Sequence, residues 1–189
     1  MTPVEIRPGT AARQGALRFG LASLLVFTTV AFAKPWMFEN LGGFGAYLTW
    51  VVLFILLGGV ALRPIAGWTR TRGFLPRFAA AFLAYAVGWI GSYATLQGDL
   101  GEWVGAVAAP LSMAVAFCAS RTAWSLFPRL ALTLFVAHVV GYFGGEPLYR
   151  SIDAPFGMLL WGVVYGLSLG AGLGVALAGL DRTGRASAV

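Results

Sequence analysis

Charge is scarce in this sequence, and so are the residues that most site chemistry needs. Asp, Glu, Lys and Arg make up 11% of its 189 residues, with one cysteine (Cys118), one histidine (His138) and one lysine (Lys34). A single cysteine rules out an internal disulfide. One Cys with one His cannot assemble a zinc or copper site of the usual kind. Phosphate-binding glycine loops, paired metal-binding carboxylates and haem-ligating histidine pairs are also missing, so no cofactor is expected. The formal charge is +6. Its basic residues nevertheless form no run and no RNA-binding motif, so nucleic acid is not an expected partner.

What fills the chain is apolar: 59% of residues are hydrophobic and the mean hydropathy is +0.80. Soluble domains run near about 45–50% apolar and about 25% charged. A water-soluble fold of this size could not hide so much apolar surface. The solvent is lipid.

Six stretches are long enough, or nearly so, to cross about 30 Å of hydrocarbon as helix: 17–36, 42–62, 76–97, 102–120, 126–145 and 154–180. Gly and Pro mark the joints, at Lys34-Pro35, Gly42-Gly43, Arg63-Pro64, Gly98 to Gly101, Gly144-Gly145 and Ala154-Pro155. Pro76 and Pro128 fall where a first helical turn tolerates a missing N–H. The expected fold class is therefore all-α, a polytopic six-helix transmembrane bundle. A short basic segment (1–16) precedes the membrane domain (17–180), and a short tail (181–189) follows it.

Charge sets the orientation. With six spans, Arg7, Arg13, Arg18, Arg63, Arg70, Arg72, Arg77, Arg121, Arg129, Arg182 and Arg185 fall on one side, against Lys34 and Arg150 on the other. Basic residues in short loops stay cytoplasmic, which places both termini inside. Glu39, Asp99, Glu102, Glu146 and Asp153 lean outward, against Glu5 and Asp181 inside. The preference for Arg over Lys, with abundant Ala and Gly, points to a GC-rich bacterial genome and hence the inner membrane. Ala31-Phe32-Ala33, after a basic start and an apolar stretch, also fits signal-peptide cleavage. The favoured expectation is an uncleaved first helix, because the basic segment is long and the chain includes Met1.

Inside lipid, helices associate by close backbone approach, which needs small residues one turn apart. The last span carries Gly162, Gly166, Gly170 and Gly174 as a ridge. Shorter small-residue rows run along Ala80, Ala84, Gly88, Ser92, along Ala108, Ser112, Ala116, Ser120, and along Thr133, Ala137, Gly141, Gly145. A faint repeat pairs Leu75-Pro76-Arg77 with Phe127-Pro128-Arg129, and Gly88-Trp89-Ile90-Gly91 with Gly141-Tyr142-Phe143-Gly144. It suggests three parallel helical hairpins, with any binding site near a pseudo-axis along the membrane normal.

His138 is the first candidate for chemistry, since an ionisable residue at membrane depth is a functional candidate by default. His138, Tyr142 and Glu146 are four apart and share a face if the helix survives Gly144-Gly145. The plainer alternative is a neutral imidazole bonded to a serine or tyrosine on a neighbouring helix. The second candidate is the outer rim, where Trp36, Phe38, Trp89, Tyr93, Trp103, Tyr142, Phe143, Tyr149, Phe156 and Trp161 gather. Many belong to the ordinary interfacial belt. Carboxylates among them suit a small cationic or heteroaromatic ligand through charge pairing and cation–π attraction. The simpler account is that they only complement the positive-inside loops. Candidate binding residues are Trp36, Glu39, Asp99, Glu102, Trp103, His138, Tyr142, Glu146 and Asp153.

Gly166-Leu167-Ser168-Leu169-Gly170 matches the G-x-S-x-G pattern of serine hydrolases, but it lies mid-helix rather than at a strand-to-helix turn. Rhomboid proteases place the serine helix before the histidine helix; here His138 precedes Ser168. No acidic residue lies in mid-span, which weighs against proton- or sodium-coupled transport.

Three functional classes remain. The first is a solute-binding or transport component with an outward acidic and aromatic pocket. The second is an accessory subunit docked to another membrane protein, or to a further copy of itself, through its glycine ridge. The third is a lipid-active enzyme using His138 as base with Glu146 or Asp153 nearby. In size, span count and topology the chain resembles the substrate-binding subunits of energy-coupling-factor vitamin importers. The resemblance is architectural, carried by no motif residue, and implies partners that supply energy.

Overall fold

A computed structural model describes residues 7–66, 73–121 and 123–186, with the backbone alone at 121 and 184–186. Glu5, Arg70 and Arg72, and the side chains of Arg121 and Arg185, used above to orient the chain, lie outside this description. Among the described residues the fold is all-helical. The elements are α1 (Pro8–Leu62), α2 (Phe74–Leu96), α3 (Gly98–Arg121), α4 (Phe127–Ser151) and α5 (Phe156–Ala186), with a 3-10 turn at Trp124–Leu126 before α4. All five are long and apolar enough to cross a membrane. This is a membrane protein.

The sequence leads to six helices, whereas the described residues form five continuous α-helices, and the difference lies in α1. Its 55 residues run through Pro35 and leave helical geometry only at Gly42 (φ 66, ψ 173). Straight, α1 would be about 80 Å long. It is not straight. Phe19 and Phe54, about 50 Å apart along an unbroken helix, stack with ring centroids 5.9 Å apart. Phe27 meets Phe54 at 6.3 Å. Val26, Met37, Ala46 and Trp50 form a buried cluster between the two halves. One residue in a region of φ/ψ open essentially to glycine reverses the helix, so the break falls at Gly42 and not at Lys34-Pro35.

The remaining joints are as short. Pro76 is the third residue of α2 and Pro128 the second of α4, where an absent N–H costs no helical bond. Gln97 (φ 52) and Gly98 (φ 55) turn the chain from α2 into α3. A cis Ala154–Pro155 peptide leads into α5.

Small residues set the helix contacts. A methyl group added at Gly162, Gly166, Gly170 or Gly174 would collide with Phe27, Ser23, the Gly15 carbonyl or the Ala11 carbonyl, all on the first half of α1. The Ser23 hydroxyl also donates to the Gly162 carbonyl at 2.8 Å. The ridge is thus filled by the chain's own helix. Gly88 of α2 lies against Ala108 and Ala109 of α3, and Gly141 of α4 against Tyr165 of α5. Inside the bundle Phe19, Phe78, Phe117, Met113, Leu134 and Leu173 are fully buried. Leu21, Phe44, Val87 and Leu132 are more than 60% exposed. Large apolar side chains on the outside are stable only against lipid.

Because α1 doubles back, its two ends lie together: Gly58 touches the Phe19 ring, and Gly59 touches Leu75 and Phe78 of α2. Ala11 meets Gly174 near the end of α5. Arg7, Arg13, Arg63, Arg77, Arg129 and Arg182 therefore gather at one end of the bundle. Glu39, Asp99, Glu102, Glu146 and Asp153 gather at the other.

Candidate functional site

The buried centre of polarity lies between α2, α4 and α5. α4 passes through Gly144, Gly145 and Pro147 without a break, so His138, Tyr142 and Glu146 do lie along one face, four residues apart. Gly141 and Gly145 bring α5 close, against the Tyr165 backbone and the Trp161 ring. Tyr85 enters from α2 and Tyr165 from α5, opposite His138.

The Tyr85 hydroxyl is 2.6 Å from His138 Nδ1 and 2.5 Å from the Tyr165 hydroxyl. All three side chains are buried: His138 is 1% exposed, Tyr85 5% and Tyr165 8%. The chain of groups has two internally consistent proton arrangements. In one, Tyr165 donates to Tyr85, Tyr85 donates to Nδ1, and the ring proton sits on Nε2. In the other, Nδ1 donates to Tyr85 and Tyr85 donates to Tyr165. In both, His138 Nε2 is left over. It is buried and has no hydrogen-bond partner among the described residues. A buried polar atom without a partner is costly, so it marks a place where a ligand or a proton has something to meet.

Rings enclose this imidazole. Trp89 lies 5.1 Å from it and Tyr142 is stacked over it at 5.7 Å, with 14° between the planes. Trp89 and Tyr142 touch at 4.6 Å, and Trp161 packs on Tyr142 at 5.1 Å. The Trp161 indole donates to the Tyr142 carbonyl at 3.0 Å. One layer further toward the acidic end, Trp103 of α3 stacks on Phe143 of α4 at 4.4 Å. Glu146 lies one turn beyond Tyr142 and accepts from Arg150 at 2.5 Å. Glu102 lies within electrostatic reach of Glu146, Asp99 and Arg150.

Six of the nine sequence candidates thus share one neighbourhood on α3 and α4: Asp99, Glu102, Trp103, His138, Tyr142 and Glu146. The other three stand apart. Trp36 (59% exposed) and Glu39 flank the Gly42 turn. No ring or polar contact among the described residues joins them to the group. Asp153 is exposed in the α4–α5 turn. Ser168, centre of the G-x-S-x-G match, donates to the Ala137 carbonyl at 2.7 Å, while His138 turns to Tyr85. Among the described residues no three His, Cys, Asp or Glu side chains form a group that could hold a metal.

No family model, curated protein or solved structure matches this chain. The chemistry of the site is therefore argued from its own geometry.

Tyr85 and Tyr165 are the residues that the sequence does not single out. Each is a tyrosine deep in an apolar span, and a buried phenol needs a partner. That requirement could have paired them with His138, the one imidazole available.

Proposed function

We propose that this protein crosses the bacterial inner membrane six times, with both termini in the cytoplasm. We further propose that it binds a small cationic or heteroaromatic solute at its acidic end, as a binding or transport component. The reversal at Gly42 supports an even number of crossings. The arginine end supports the orientation, by the bias of short basic loops to stay cytoplasmic. The partnerless Nε2 of His138 carries the functional reading. It lies beneath Trp89 and Tyr142, with Glu102, Glu146 and Asp99 above. Such a column offers a cation ring faces and carboxylates at one end and a hydrogen-bonding nitrogen at the other. The two repeat-related pairs, Gly88-Trp89 and Gly141-Tyr142, meet here through their aromatic members, as hairpins arranged about a pseudo-axis would have it.

Occupation of the acidic end also fits the packing of the glycine ridge better than the accessory-subunit reading does. A partner helix on that ridge would have to displace α1.

The test is a thermal-shift and calorimetric screen of cationic heteroaromatic compounds on the purified chain. Saturable binding that weakens in Tyr142→Ala and Glu146→Gln is expected. A screen in which no such compound stabilises the wild type rejects the reading.

A further inference from the structure

At the opposite end of the bundle, a cleft of about 190 Å³ lies between α4 and α5. Arg129, Leu130 and Thr133 line it from one face of α4, and Leu126 from the 3-10 turn before it. Val175, Ala176, Gly179, Arg182 and Thr183 line it from α5 in the same register. Apolar side chains thus form its inner walls, and two arginines on separate helices stand at its rim. Thr133, half-buried, adds a hydroxyl donor, and the positive end of the α4 dipole lies at the same mouth.

We propose that this cleft is a binding site for a phosphate group whose charge no cation of its own headgroup neutralises, presented by an anionic phospholipid or by a soluble phosphate. Guanidinium groups hold phosphate oxygens through paired, charge-assisted hydrogen bonds, and two of them converging from different helices fix its position. The apolar inner walls accommodate a chain attached to that phosphate, as in basic pockets between membrane helices that take lipid headgroups. Gly179 leaves the cleft open: a methyl group added there meets nothing within 4 Å. The site is independent of the acidic end and of the solute reading given above.

The experiment uses the full chain in detergent, with native mass spectrometry reading bound dioleoyl-phosphatidylglycerol against dioleoyl-phosphatidylcholine. Wild type is expected to retain phosphatidylglycerol in preference to phosphatidylcholine. The R129Q/R182Q double variant should bind it about tenfold or more weakly. Gly179→Leu should lose binding as well, by filling the cleft with no change in charge. It should also keep its thermal stability, which separates loss of the site from loss of the fold. Inorganic phosphate at millimolar concentration identifies the source. If it displaces the lipid, the site recognises phosphate in solution; if the lipid resists, the site belongs to a headgroup. Both support phosphate recognition. Equal retention of phosphatidylglycerol by wild type and both variants overturns the proposal, as does equal retention of the two lipids by wild type.

Discussion

Tyr85 and His138, 53 residues apart, share a 2.6 Å hydrogen bond, and the Tyr85 hydroxyl also meets that of Tyr165. Tyr85→Phe strands two groups at once, the imidazole Nδ1 and the Tyr165 hydroxyl, whereas Tyr165→Phe strands neither Tyr85 nor His138. Interhelical bonds in lipid average about 0.6 kcal/mol and reach about 1.7, and a stranded buried group adds to this. Tyr85→Phe is expected to cost about 1–2 kcal/mol and Tyr165→Phe clearly less. Thermal unfolding in detergent reads both, and equal stability of the two variants would count against the network.

The glycine contacts predict a sharp split among substitutions of one kind. Gly174→Ala drives a methyl into the Ala11 carbonyl, and Gly170→Ala brings one to 2.8 Å from the Phe19 Cβ. Each is expected to destabilise by about 1–3 kcal/mol. Gly144→Ala meets nothing within 4 Å and is expected to be neutral. Size-exclusion profiles and melting curves of the three variants check the order.

Gly42 isolates a purely conformational effect. A Cβ there finds open space, yet the backbone (φ 66, ψ 173) lies where L side chains are strained. Gly42→Ala is expected to cost about 1–3 kcal/mol. Gly43→Ala, with an ordinary 3.8 Å contact to Phe38, should cost little. If both melt alike, the reversal does not depend on glycine.

Topology is open to labelling. Cys118 is fully buried, so an introduced cysteine is read against a quiet background. Asp153→Cys is expected to react with an impermeant maleimide in intact cells. Ser125→Cys, exposed near the arginine end, is expected to react only after lysis. The reverse pattern would invert the orientation and place the acidic end in the cytosol.

Cation binding at the acidic end carries its own signature. Glu102→Gln combined with Glu146→Gln is expected to weaken a cationic ligand, and raising the salt is expected to weaken it in wild type but less in the double variant, because exposed charges are screened. Identical salt dependence in titration calorimetry would remove the carboxylates from the site.

The apolar, all-helical class and the starts of α2, α4 and α5 were legible to within two residues, because lipid demands long apolar runs and Pro76 and Pro128 mark first turns; the count was not, since six helices were read and five continuous ones are described. The break in α1 was legible at Gly42-Gly43, but a second joint was read where there is none. Lys34-Pro35 reads as a joint, but a proline inside a membrane helix can be absorbed, and the reversal waits for Gly42. Of the site, the face shared by His138, Tyr142 and Glu146 followed from spacing alone. Trp36 and Glu39 were grouped with it because depth in the membrane can be read from sequence, whereas position around the bundle cannot. Tyr85 and Tyr165 were passed over for the same reason: nothing local announces which helices will face one another.

The tight reversal in α1 also bears on how the protein is made. The stacking of Phe19 on Phe54 and the edge contact of Phe27 with Phe54 use residues of α1 alone, so the two arms can close on each other before any later helix exists. Their first half then offers a ready wall on which the glycine ridge of α5 packs.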